Sequence, residues 1–257
     1  MLAMLKIAVV TDIHYGIDQK TQTAGDMGLE MLQNSLSQIE NEDFDLLVDL
    51  GDRLNDEKLA EARACLKELA LIFRNIRMPR HHILGNCDIL DVQKQEKILG
   101  TTLTNHSITM SGWHFLFLSS YDGSIGGTLD NFALNWLERE LESNNLPKIV
   151  FSHQPLDEEK LPENRFFSKD ISQAYSNGAA EARKIMEKSG KVKLVVSGHL
   201  HQNKISELNG ISYCTITALT PFRDSEKLEP AYAVLKLDDK ISIKVLGREL
   251  FSQEIDI

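Results

Sequence analysis

The chain has 257 residues, 42% of them hydrophobic and 26% charged, too long for a disulfide-stapled miniprotein and too apolar for a disordered chain. Its 28 Lys+Arg against 38 Asp+Glu leave a net charge of −10; such a surface repels phosphate backbones, which argues against sequence-independent nucleic-acid binding. Three scattered cysteines (Cys65, Cys87, Cys214) without a CxxC pair argue against a disulfide framework and for a reducing compartment.

No apolar run approaches the ~20 residues a membrane helix needs. Met1 to Val10 lacks a small-residue cleavage region and reads as a core strand rather than a signal peptide; the expected location is cytoplasmic. The first strand, Lys6 to Thr11, ends at Asp12. Leu29, Leu32, Leu36 and Ile39 recur at helical spacing and predict a helix over 26–41. Leu46 to Leu50 is a second strand, stopping at Gly51-Asp52. Asn55 is a candidate cap for a helix reaching Phe73. A third run, His81 to Leu84, stops at Gly85-Asn86. Ile108 to Ser120 reads as two strands turning at Ser111-Gly112. Asp130 caps a helix carrying Leu134, Leu137 and Leu141, and Ile149 to Ser152 is a strand delivering His153. Residues 156–177 are polar and aperiodic, a long loop over one end of the fold. A helix over Ala179 to Lys188 precedes a strand, Val192 to Ser197, that stops at Gly198-His199. Two hairpins follow, one through Asn209-Gly210 and one through Asp238-Asp239. Strands alternating with helices, without a linker, point to a single α/β domain over 1–257.

Five strand ends carry residues of metal-ligand type: Asp12-Ile13-His14, Gly51-Asp52, Gly85-Asn86, His153 and Gly198-His199-Leu200-His201. In open α/β sheets, ligands gather at the carboxyl ends of strands, so these distant segments can converge. Two carboxylates, four imidazoles and one amide oxygen suit Mn²⁺, Fe²⁺ or Zn²⁺. Seven donors are too many for one ion and enough for two that share a carboxylate, and such a pair can hold a phosphoryl group for in-line displacement.

The ordered series D-x-H, G-D, G-N-x-D, H and G-H-x-H over roughly residues 7–201 resembles the calcineurin-like metallophosphoesterase superfamily. The resemblance implies a four-layer αββα sandwich, two mixed β-sheets flanked by helices. It implies two divalent ions, with Asp12, His14 and His201 on the first, Asn86, His153 and His199 on the second, and Asp52 bridging both. A metal-activated hydroxide would attack phosphorus. Among the family's functional positions stand Asp52, Asn86, His153, Cys87 and Asp88. Cys87 departs from the pattern, which usually has histidine there to protonate the leaving oxygen. Cysteine is neutral at pH 7 and shorter, so leaving-group protonation is expected to weaken; the alternative is a small filler without a part in chemistry. Asp88 would orient Asn86 or cap the next helix.

The expected activity is hydrolysis of a small nucleotide-like phosphodiester. Members of the superfamily that act on cyclic nucleotides have chains of similar size and motif order. One alternative is cleavage of a nucleoside-diphosphate-type pyrophosphate bond, whose phosphate leaving group needs little protonation. An alternative of another class is a non-catalytic binding scaffold on the same fold. The expected partner is a small phosphorylated substrate, a nucleotide included. No membrane or nucleic-acid partner is expected, and oligomer formation is left open. Among other residues, Arg53 is either a phosphate contact or a surface residue. Tyr121, Asp122 and Gly123 are candidate crevice residues, and Lys160, Arg165 and Lys169 are candidate anion-steering groups on the long loop. His81, His82, His106, His114, Trp113 and Trp136 read as structural.

Overall fold

Leu5, Ile7 and Val9 bury on one side of the first strand, Ala8 and Val10 on the other. A strand buried on both faces belongs inside a layered α/β fold, and the computed structural model places it there. The structure describes residues 4–17, 21–55 and 58–256; the Met1 to Ala3 part of the first-strand reading lies outside them.

The elements are β1 (Leu5–Val10), α1 (Gly28–Glu40), β2 (Leu46–Asp49), α2 (Leu59–Arg74), β3 (Arg80–His82), α3 (Val92–Leu99), β4 (His106–Met110), β5 (Trp113–Leu118), α4 (Asn131–Glu142), β6 (Lys148–Ser152), α5 (Ala179–Ser189), β7 (Val192–Ser197), β8 (Lys204–Leu208), β9 (Ile211–Thr215), β10 (Ala231–Leu237), β11 (Lys240–Gly247) and β12 (Phe251–Asp256). One sheet has the order β12-β11-β10-β1-β2-β3 and the other β4-β5-β6-β7-β9-β8. Both are mixed: β1, β2 and β3 run parallel, as do β5, β6, β7 and β9, while the remaining pairings are antiparallel.

Between the sheets, Val9, Val48 and Leu50 meet Phe115, Phe117, Phe151 and Val196. Outside the first sheet, Leu32, Leu36, Leu66 and Phe73 bring in α1 and α2. Outside the second, Leu137, Leu141 and Met186 bring in α4 and α5. The result is the expected helix–sheet–sheet–helix sandwich. Parallel strands end on the same edge, so β1, β2, β6 and β7 deliver their following turns to one place.

Three local expectations change. Asn55 does not cap α2, whose N-cap is Lys58. Its backbone N–H is bound to the Tyr15 carbonyl (3.1 Å) and its amide donates to Thr23 Oγ1 (3.2 Å), so it belongs to the site-forming turn instead. Asp91, not Asp88, caps α3 by accepting from Lys94 N–H (3.1 Å). The last strand, β12, went unread because it is an edge strand with every second residue exposed. The hairpin turns stand as expected, with Ser111-Gly112 (φ +48°, +85°) and Asn209-Gly210 (φ +51°, +78°) both left-handed. No helix among the described residues is long and apolar enough to cross a membrane.

Candidate metal centre

The turns after these strands adopt left-handed backbone conformations at the motif residues. Among the described residues, nine non-glycine positions have positive φ, and five of them are Asp12, His14, Asp52, His199 and His201. A left-handed conformation costs an L-residue roughly 1–2 kcal/mol, and such strain concentrates where geometry serves function. Backbone bonds between the turns hold it: Asp12 N–H to Gly51 O (2.9 Å), His14 N–H to Asp52 O (2.9 Å), and Gly198 N–H to His153 O (3.0 Å). The motif glycines are there for closeness. A Cβ on Gly85 would lie 2.2 Å from Asp52 Oδ1, and one on Gly198 would lie 2.0 Å from Thr11 Oγ1.

The seven candidate donors from the motifs converge. Asp12 Oδ2 accepts from Thr11 Oγ1–H (2.7 Å) and His199 N–H (2.9 Å). Its Oδ1 is buried with no hydrogen-bond partner and faces His201 Nε2 at 3.3 Å and His14 Nε2 at 3.6 Å. Those two ring nitrogens are 3.0 Å apart. Asp52 Oδ2 lies 3.7 Å from His14 Nε2 and 3.4 Å from His153 Nε2, so it stands between the two groups. His153 Nδ1–H donates to Leu50 O (2.9 Å), which turns Nε2 toward Asp52 and toward Asn86 Oδ1 (3.3 Å). His199 Nε2–H donates to Gln173 O (3.0 Å), leaving Nδ1 as its acceptor. Ligand atoms of Asp12, His14 and His201 lie within 4.8 Å of one another, and so do those of Asp52, His153 and His199.

The electrostatics follow from burial. Desolvation works to raise the Asp52 carboxyl, yet the neighbouring His153 outweighs it and holds Asp52 well below the usual carboxylate range. Desolvation likewise works against a charged His153, but the Asp52 carboxylate pushes it up to about 9. His199 is pulled down to about 4, by burial first and His153 second, so its ring stays neutral. A buried site that draws a proton onto one ring so strongly attracts positive charge. Two buried carboxylates packed this closely among four imidazoles, with Asp12 Oδ1 lacking a hydrogen-bond partner, call for positive charge between them, whether protons or a metal cation. The carboxylate, imidazole and amide-oxygen set therefore fits a divalent metal of borderline hardness.

Neighbouring residues sort themselves. Arg53 reaches no substrate: it is fully buried, with Nη1 on Asp49 (2.8 Å) and Ile83 O (2.9 Å) and Nη2 on Asp88 (2.8 Å). Asp88 neither orients the Asn86 side chain nor caps a helix. Its carboxylate accepts backbone N–H groups from Asp52 (3.2 Å), Arg53 (3.0 Å) and Gly85 (3.0 Å), pinning the second and third motif turns together. It is a positioning residue. Cys87 donates its backbone N–H to Asp52 Oδ1 (2.7 Å), and its half-buried side chain lines the cavity. That cavity, about 400 Å³, has the donor cluster on one side and Ile89, Ile125, Phe166 and Phe167 among its other walls. Tyr121, Asp122, Gly123, Lys160 and Lys169 are not among its lining residues. Arg165 is turned away, paired with Asp224 (2.8 Å) and bonded to Gln22. His82 is buried on Asp49, His81 against His106 and Phe117, and His114 beside Glu140, all outside the cavity. Phe166-Phe167 went unremarked in the sequence, although an aromatic pair inside a polar loop was a readable signal.

The profile of the calcineurin-like phosphoesterase family matches residues 5–203. The chain belongs to that family. As a calcineurin-like phosphoesterase it is a metal-dependent phosphoester hydrolase. It is 25% identical over 214 residues to a 3',5'-cyclic-nucleotide phosphodiesterase of Nostoc sp., covering 81% of this chain and 76% of the relative. It is 26% identical over 216 residues to the 3',5'-cyclic adenosine monophosphate phosphodiesterase CpdA of Escherichia coli, covering 81% and 74%. Its fold is similar to that of a dimetal phosphatase from Danio rerio, with a TM-score of 0.79 at 13% identity over 98% of both chains.

Proposed function

We propose that this calcineurin-like phosphoesterase is a phosphodiesterase acting on a small nucleotide-like diester. Asp12, His14 and His201 hold one divalent cation, Asn86, His153 and His199 a second, and Asp52 is shared. Carrying the reading is the convergence of these seven side chains around the buried Asp12 Oδ1, which has no hydrogen-bond partner and faces two imidazole nitrogens at 3.3 and 3.6 Å. Two such cations, when bound, neutralise phosphoryl oxygens and make water acidic enough to act as a nucleophile near neutral pH. The chain's own part is to hold tautomers and distances. Leu50 O and Gln173 O fix which nitrogen of His153 and His199 points inward, and Asp88 fixes the Asp52 and Asn86 turns.

Diester chemistry is favoured over pyrophosphate cleavage by charge. The described residues lining the cavity include Asp52 and Asp170 but no Lys or Arg, so little in the wall stabilises a second phosphate. The relatives named as cyclic-nucleotide phosphodiesterases point the same way. Retention of all seven donors weighs against a non-catalytic scaffold. A cytoplasmic location and a single domain belong to the same reading, resting on cysteine usage and on the core that the two sheets share.

The test is hydrolysis of bis(p-nitrophenyl) phosphate by chelator-treated protein resupplied with Mn²⁺, Fe²⁺ or Zn²⁺. Turnover is expected with at least one metal, and Asp52→Asn is expected to abolish it while lowering bound metal. Bound metal without turnover would leave the scaffold reading standing instead.

A further inference from the structure

The loop after His153 carries two adjacent phenylalanines into the cavity wall, and they are seated more firmly than an exposed loop requires. Asn164 is almost fully buried. Its Oδ1 accepts the backbone N–H groups of Phe166 and Phe167, both at 3.0 Å. Its Nδ2 donates to Leu200 O and Gln202 Oε1, both at 2.8 Å. One amide thus ties the Phe166-Phe167 turn to the turn that presents His199 and His201. Phe166 meets His201 edge to face, with centroids 5.4 Å apart and an 87° angle, and lies 5.5 Å from Phe222. Phe222 stacks on His201 at 5.5 Å and carries the Arg165 guanidinium 4.5 Å from its ring centre. The Phe166 ring is therefore held in one orientation beside the donor cluster, half-buried, with cavity in front of it.

We infer that Phe166 is the platform on which the planar base of a nucleotide substrate stacks while its phosphate sits on the donor cluster. The inference rests on the phosphodiester reading above and adds the residue that recognises the organic group. A flat uncharged ring suits this wall. Aromatic faces pair with π systems in offset or edge geometry, and a rigid platform gives up little conformational entropy on binding. The cavity also falls in the size range of small-molecule sites. Phe167 leans on His199 (5.0 Å) and supports the same wall.

Calorimetric titration of the Mn²⁺-loaded protein with adenosine 5'-phosphate and with ribose 5-phosphate isolates the base, since the two ligands share sugar and phosphate. The wild type is expected to bind adenosine 5'-phosphate more tightly. Phe166→Ala is expected to weaken that ligand roughly tenfold and leave ribose 5-phosphate unchanged, and Phe166→Trp is expected to restore the preference. Equal affinity of the wild type for both ligands, or failure to bind either, overturns the inference. So does an equal loss of both in Phe166→Ala, which would mean that the ring merely props up the His201 turn. A preference for adenosine 5'-phosphate without any diester hydrolysis would leave the platform standing and remove the catalytic reading. Hydrolysis without that preference would do the reverse.

Discussion

On the motif resemblance, Cys87 would stand where a leaving-group acid is expected. Burial first, and the Asp52 carboxylate second, push its thiol well above the ordinary range, so at neutral pH it is a neutral S–H group. It can lend a weak hydrogen bond to a departing oxygen but is a poor proton donor. Rates with aryl phosphodiesters should therefore fall as the phenol becomes more basic. Cys87→His should flatten that slope, by up to roughly 10²-fold for the poorest leaving groups, the lower end of what general-acid help contributes. A flat wild-type slope with chemistry rate-limiting would show that Cys87 is only a filler. The candidate donors were legible because each lies at the end of an apolar strand, and three of them, Asp52, Asn86 and His199, directly follow glycine. The fates of Arg53 and Asp88 were not, because a charged side chain next to a motif points inward or outward according to its tertiary partners, and the partners of Arg53 lie 4 and 35 residues away.

The turns owe their shape to a buried ionic layer beneath β2. Asp49 accepts from Arg53 Nη1–H (2.8 Å), His82 Nδ1–H (2.8 Å) and Gly51 N–H (3.0 Å). Desolvation would raise the Asp49 carboxyl, but Arg53 and His82 hold it down to about 2. Its folded pKa lies below the unfolded one, so its stabilisation is complete above about pH 4 and is lost as pH falls toward 2. Asp49→Asn should cost roughly 3–5 kcal/mol near neutral pH, because a buried Arg53 loses a partner. In urea titrations that gap should narrow below pH 4; a gap that stays constant would mean that charge is not what Asp49 contributes. Strong periodicity made β1, α1, α4 and the hairpins readable. The helix α3 buries only Gln95 and Leu99 and left too faint a pattern. The α2 start was misplaced because Asn55 is drawn into the turn beside Tyr15 and Thr23.

The proposed metal centre straddles both sheets: Asp12, His14, Asp52 and Asn86 follow strands of the first, and His153, His199 and His201 follow strands of the second. A cation bound there joins the two halves and binds the folded state alone. Mn²⁺ at about 100 times its Kd should therefore stabilise the fold by about 2.7 kcal/mol and raise Tm by about 5–10 °C over protein in chelator. Asp12→Asn should lose most of that shift, and an unchanged Tm in the wild type would show that these donors grip no ion. The same topology has a consequence for biosynthesis. β1 pairs on one side with β2, forty residues on, and on the other with β10, which begins at Ala231. During translation β1 therefore waits with one flank bare until β10 has left the ribosome. That nascent edge, Leu5 to Val10, is largely apolar and open to wrong pairing until its partner arrives.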